Sequence, residues 1–240
     1  MFKRYLHHST SLSVGLVMTI PLLVLYELGL LVVGLDVLNG ADVVTQEILN
    51  LFGQVGFLTF NAALLLGFGV GVVLLKRRKR FDFRFFGPLL VESTLYGFTM
   101  GFLIIALLDE TRLLLDETGL LGPTLETGML RNIVLSAGAG LHEELLFRLA
   151  MIPGLLALWK RITQVGGRPL AIIFAVVTSS LLFSLAHFMA EDPNWYRFAY
   201  RAAAGLVFAI VFLTRGFAVA AYTHTMYDIW VLEVVPHLQG

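Results

Sequence analysis

Ala139-Gly140-Leu141-His142-Glu143-Glu144-Leu145-Leu146-Phe147-Arg148-Leu149 puts two adjacent carboxylates and a guanidinium inside a segment, Met129 to Trp159, that otherwise reads as a membrane helix. At the bilayer centre each such charge costs about 2.5–3.5 kcal/mol on an insertion scale, so three of them cancel most of what the surrounding Leu, Ile and Phe contribute. Glu144 and Arg148 stand four apart with the acid on the N-terminal side, the favourable helical pairing, and neutralise one another. Glu143 points about 100° away around the helix and needs a partner from another helix.

The rest of the chain has the composition of a membrane protein. Hydrophobic residues make up 58% and charged residues 14% of it, mean hydropathy is +0.82, and several apolar runs have spanning length. Zero net charge says nothing about partners, because the charges are segregated along the chain. With no cysteine, disulfides, thiol nucleophiles and Cys-ligated metals are excluded.

Outward from the charged stretch, the apolar runs map as about seven spans. Leu12–Val33 follows Lys3 and Arg4 and reads as a first span rather than a signal peptide. A second, about 56–75, stops at Lys76-Arg77-Arg78-Lys79-Arg80, a cytoplasmic marker rather than a nucleic-acid patch. Pro88 opens a third, about 89–108. The fourth contains Glu143 and Glu144 and is expected to kink at Pro153. A fifth runs from Arg168-Pro169 to about Met189, a sixth covers about 198–213, and a seventh about 217–235. With a cytoplasmic N-terminus, the segments 1–10, 76–84, 160–168 and 215 lie inside with 12 of the 17 Lys and Arg residues, and the acidic loops lie outside. The expectation is an all-α polytopic bundle forming one integral membrane domain, 1–240. Gly97-Phe-Thr-Met-Gly101, Gly67-x-Gly69-x-Gly71 and Ser136-Ala-Gly-Ala-Gly140 read as surfaces for close helix approach. The last lies one turn before Glu143 and can bring a neighbouring helix to it.

Among residues within spans, the histidines are His142, His187 and His224. His187 ends Phe183-x-x-x-His187 in the fifth span. His224 and Asp228, four apart in the seventh, share a helical face. Ionisable groups in a membrane usually face the bundle interior and pair with one another, so three helices supply a carboxylate, an imidazole, and an imidazole with a carboxyl. No serine sits in a nucleophile setting, and Leu146 occupies the second ligand position of a would-be His-Glu-x-x-His zinc motif. What remains is a desolvated carboxylate that deprotonates water, with histidines orienting the water and stabilising an oxyanion.

Glu143-Glu144-x-x-x-Arg148, Phe183-x-x-x-His187 and His224-x-x-x-Asp228, in this order on separate helices, resemble the signature of the CAAX protease and bacteriocin-processing (CPBP, or Abi) family of glutamic intramembrane proteases. The Ras-converting CAAX endopeptidase is its eukaryotic relative. The resemblance implies a catalytic core at about 129–235 and no cofactor or metal. It makes Glu143 the general base, sharing its water with His187, while Glu144 and Arg148 brace the site and Phe183 packs beneath it. His224 with Asp228 would form the oxyanion hole. The eukaryotic pattern has Asn at the last position, and an ionised Asp cannot donate a hydrogen bond, so Asp228 is expected to stay protonated or to hold His224 in its donating tautomer. The implied partners are a membrane-associated peptide or protein substrate and the lipid bilayer, not nucleic acid, in a bacterial inner membrane. Oligomeric state is not readable.

Two other readings use the same residues. Glu143, His187, His224 and Asp228 would also suit zinc or iron, and a Glu-His chain could relay protons in a transporter. His142 is read as a neighbour without chemical duty. Glu27 is either a helix-end or cavity-facing group, or else a partner supporting the site residues or a substrate contact; Asn61 and Glu92 are less so, and Arg197 and Arg201 are read as interfacial anchors.

Overall fold

The computed structural model describes residues 2–33, 82–109, 128–163, 168–189 and 192–234, with isolated positions between 59 and 74. The second span and Asn61 therefore lie largely outside the described residues. Among those described, the chain is helical without a strand. Its helices are α1 (Phe2–Ser9), α2 (Leu12–Met18), α3 (Ile20–Val33), α4 (Phe86–Asp109), α5 (Met129–Glu143), α6 (Met151–Thr163), α7 (Arg168–Ala186), α8 (Trp195–Arg215) and α9 (Phe217–Ile229). Leu12–Val33, Arg168–Met189 and Trp195–Arg215 are long and apolar enough to cross a membrane.

The expected helix positions hold with small shifts at the ends. The first span is interrupted at Thr19, whose hydroxyl bonds the Leu16 carbonyl at 2.9 Å. Pro21 follows and cannot donate to the carbonyl four residues back. The fourth span is helical throughout from Met129 to Thr163, and its departure from α geometry is a π-helical segment, Glu144–Ala150, in which Met151 N–H donates to the Leu146 carbonyl. The irregularity thus begins directly after Glu143, ahead of Pro153, which sits inside α6. A Pro ring crowds the carbonyl four residues earlier, here Leu149, and the widened turn contains that position. The Phe147 carbonyl accepts from Ser179 Oγ of α7 at 2.5 Å. A second π-helical segment, Trp230–Val234, continues α9.

α9 is the innermost helix: residues 217–225 are all buried. Small residues let its neighbours close on it. A Cβ on Gly140 of α5 would strike Thr225 Oγ1 and lie 2.6 Å from the Ala221 carbonyl oxygen. On α4, a Cβ at Gly97 would lie 2.9 Å from Tyr227 N, and one at Gly101 would strike the Trp230 ring. These are the expected close-approach surfaces, with α9 as the common partner. Gly138 faces the Tyr26 ring of α3 instead. Gly67 and Gly69 have nothing within 4 Å of an added Cβ. Tyr222 Oη donates to the Met18 carbonyl at 3.0 Å, and Ser93 Oγ donates to that of Val219 at 3.3 Å. The axial position of α9 is therefore fixed from α2 and α4.

Polar contacts also mark the two ends of the bundle. At one, Glu92 of α4 accepts from Arg215 Nε and Nη2 at 2.5 and 2.8 Å and from the Tyr5 hydroxyl of α1. This joins the N-terminal helix to the turn between α8 and α9, where Gly216 adopts φ 91° and presses on the Ser9 carbonyl, a conformation and proximity suited to glycine. At the other end Asn132 Nδ2 donates to Glu233 Oε1 at 2.7 Å, tying the start of α5 to the end of the chain's last described helical segment.

Candidate active site

The close approach at Gly140 brings α5 against α9 one turn before Glu143, and α7 arrives from the other side. Glu143 Oε2 lies 3.7 Å from His224 Nε2 and 4.0 Å from His187 Nε2. Glu144 Oε1 lies 2.9 Å from His224 Nδ1 and 3.2 Å from Arg148 Nη1. Adjacent carboxylates on one helix thus bracket a single imidazole, each addressing one of its nitrogens. Their roughly 100° angular offset is what the diverging nitrogen edges of the ring require. Asp228 Oδ2 completes the group 3.5 Å from His224 Nε2.

Hydrogen-bond chemistry restricts the two rings. A carbonyl oxygen only accepts, so the 2.9 Å contact of His187 Nδ1 with the Phe183 carbonyl places a proton on Nδ1. In neutral His187 the lone pair is then on Nε2, facing Glu143. A carboxylate on His224 Nδ1 likewise calls for N–H there. Asp228, expected from the sequence to stay protonated or to hold His224 in its donating tautomer, lies nearest the other nitrogen, Nε2; with N–H already at Nδ1, an N–H at Nε2 makes the ring an imidazolium.

Below this layer the site is closed. Arg148 is wholly buried, as is its partner Glu144. Its Nη2 donates to the Gly205 carbonyl of α8 at 3.3 Å, and its guanidinium carbon lies 4.4 Å from the Phe183 ring centroid and 5.5 Å from that of Phe208. Arg148 Nε and Nη1 and Glu144 Oε2 are buried without a hydrogen-bond partner among the described residues, so the pair rests on opposite charge at close range, the Gly205 carbonyl and the cation–π attraction of the flanking rings. Phe183 also meets His187 and His224 edge-on, with centroids at 5.0 and 5.8 Å.

The structure brings together Glu143, Glu144, Arg148, Phe183, His187, His224 and Asp228. It adds Phe208 of α8, whose ring stacks on the His224 imidazole at 4.3 Å and 15°. No sequence feature separates Phe208 from the other apolar residues of its helix. Gly205 contributes a backbone carbonyl, which no side-chain pattern reveals. His142 turns the other way: its Nδ1 lies 3.0 Å from the Gly138 carbonyl oxygen, and its ring meets Tyr26 edge-on at 5.0 Å. Glu92 belongs to the distant cluster with Tyr5 and Arg215. Among the described residues no three His, Asp or Glu side chains stand as a ready set of metal ligands.

Residues 126–230 match the family model described as type II CAAX prenyl endopeptidase Rce1-like. Neither the search of curated proteins nor that of solved structures gave a match. The match takes in every helix that delivers a side chain to the cluster around His224, so this part of the chain is similar to the Rce1-like type II CAAX prenyl endopeptidases.

Proposed function

We propose that the protein is an intramembrane endopeptidase that hydrolyses a peptide bond of a membrane-associated substrate by water activated between Glu143 and His187. The observation that carries this reading is the placement of Glu143 Oε2 within 4.0 Å of His187 Nε2 and 3.7 Å of His224 Nε2, on three separate helices. A gap of 4.0 Å is spanned by one water making two hydrogen bonds of about 2.8 Å. Both partners accept: the Glu143 carboxylate, and His187 Nε2 by its lone pair. They take up the water's two hydrogens and leave an oxygen lone pair for attack.

In the first step the water oxygen bonds to the scissile carbonyl carbon as its proton passes to Glu143. The carbonyl oxygen becomes an oxyanion, met by Nε2–H of His224 in its imidazolium form, with Glu144 holding Nδ1–H. Such preorganised donors contribute about 2.7–4 kcal/mol each in acyl-transfer enzymes. In the second step Glu143 returns its proton to the leaving nitrogen and the C–N bond breaks, giving an amine and a carboxylic acid. Asp228 lies on the same nitrogen of His224 and stabilises the positive charge there. Arg148 touches no reacting atom; it holds Glu144, which holds His224. A bacterial inner membrane is the setting we infer from the family resemblance; the charge pattern supplies only the orientation within it.

The test compares the membrane peptidome of cells carrying the wild type with that of cells carrying Glu143→Ala or His187→Ala. Each variant is expected to stay folded in the membrane and to lose the cleavage products. Loss of a positioned acid or base costs about 10²–10⁴-fold in rate. Full cleavage by Glu143→Ala would end the water-activation mechanism.

A further inference from the structure

Among the described residues the polar cluster is closed at one end and grows more exposed toward the other. Side-chain exposure is 0% for Arg148 and Glu144, 3% for Glu143 and 4% for His224, and rises to 18% at His187 and 22% at Asp228. The opening is therefore a rim between the end of α7 and the last turn of α9. Around that rim the described residues stay exposed and apolar: Met189 at 56%, Trp195 at 85% and Leu232 at 42%. A Trp this exposed beside the rim suits the headgroup level of a membrane.

The rim's depth follows from helix length. His187 lies nineteen residues beyond Arg168 along α7, or about 28 Å at 1.5 Å per residue, close to the roughly 30 Å of a hydrocarbon core. With Arg168 at one boundary, His187 reaches the other.

Charge says which boundary is which. Arg215, Lys160, Arg161 and Arg168 sit at the end of the bundle away from the rim, as does Arg84 just before α4. Helix α1, which carries the basic pair at 3–4, is tied to the same end through Tyr5 and Glu92. Arg131, Arg197 and Arg201 stand at the rim end and are far outnumbered. Basic residues close to span ends mark the cytoplasmic side.

We propose that the site opens to the non-cytoplasmic face at headgroup depth, so that its substrate is a membrane-anchored polypeptide presenting the scissile bond at the outer surface. A lipidated tail lying on the cytoplasmic surface is then excluded, because it would have to cross the bilayer to reach Glu143. This inference rests on the endopeptidase reading for its substrate class, while the direction of the opening stands apart from it.

The absence of cysteine from the chain makes the test direct. Single-cysteine variants Met189→Cys, Asp228→Cys and Arg161→Cys would be treated with a negatively charged, membrane-impermeant methanethiosulfonate in right-side-out and in inverted vesicles. Met189→Cys and Asp228→Cys should be modified in right-side-out vesicles and lose that modification in inverted ones, with Arg161→Cys the reverse. Modification of the first two only from the cytoplasmic side overturns the proposal, as does failure of Asp228→Cys to react from either side while Met189→Cys reacts. If Asp228→Cys does not fold, a cysteine at Leu232 tests the same rim. Labelling needs no turnover, so it reports on the opening even if Glu143→Ala were to leave cleavage intact.

Discussion

Two ion clusters that bridge helices among the described residues are built on different accounts of charge. At the Glu92 end, one carboxylate meets one guanidinium, and the Tyr5 hydroxyl is a neutral donor. Charge cancels without help from a titrating group. Around His224, the carboxylates of Glu143, Glu144 and Asp228 gather with the Arg148 guanidinium and two imidazoles. The first arrangement is indifferent to where protons sit. The second sets imidazoles directly against carboxylates, groups between which a proton can pass. The contrast teaches that a buried ion cluster is suited to proton chemistry by the titrating groups set among its charges, not by the number of charges.

The largest effect of breaking either cluster should come from Glu144→Ala. It leaves the wholly buried Arg148 without its carboxylate and removes the acceptor on His224 Nδ1. Breaking a buried pair by removing one partner costs about 3–5 kcal/mol, enough to consume a large part of a domain's stability. The expected outcome is a marked fall in folded, detergent-extractable protein, read by size-exclusion profile and thermal unfolding. Glu143→Ala, by contrast, should leave yield near that of the wild type. Equal yields for the two variants would erase the distinction between the bracing acid and the reacting one.

Why the bracing role was only half legible in the sequence is instructive. The i,i+4 spacing identifies Glu144 with Arg148, and one pairing looks like full satisfaction. A carboxylate has two oxygens and about four lone-pair sites, so the Arg148 bond leaves capacity that His224 uses. The ionisable members of the site were readable for the opposite reason: Glu143, His187, His224 and Asp228 stand out against apolar helices where each polar group is expensive. Phe208 and Gly205 were not, since an aromatic ring or a backbone carbonyl on a lipid-spanning helix has nothing to stand out from. For the fold, hydropathy placed the helices within a few residues. Which helices touch depended on tight approaches such as Gly140 on Ala221 and Thr225, and a small residue signals proximity without naming its neighbour. The π-helical turn after Glu143 likewise depends on neighbours, among them Ser179.

A smaller effect is expected at the balanced cluster. Arg215 and Glu92 are 13% and 16% exposed, so a stranded Arg215 keeps some access to water. Glu92→Ala should lower stability by about 1–3 kcal/mol, the usual cost of an unsatisfied polar group, and leave turnover per folded molecule unchanged. Replacing both partners, Glu92→Leu with Arg215→Leu, should recover most of that loss, because an apolar pair of similar volume often equals a buried ion pair. Comparing thermal midpoints of the single and double variants checks it. A fall in turnover per folded molecule would mean that this end of α9 is coupled to His224.

The smallest effect separates the ring that stacks on His224 from those that merely fill space. Phe208→Leu keeps an apolar side chain on α8 but removes the flat surface 4.3 Å from the imidazole. Aromatic pairs contribute about 0.5–1.5 kcal/mol beyond their area, which converts to a roughly two- to twelvefold loss in rate if the stack orients His224 in the transition state. The loss should fall on kcat with KM little changed, since Phe208 sits under the imidazole and away from the open rim. Phe208→Trp, which restores a flat ring, should recover rate where an aliphatic residue does not. Equal kcat for the Leu and Trp variants would reduce Phe208 to filler, and would leave the orientation of His224 to Glu144 alone.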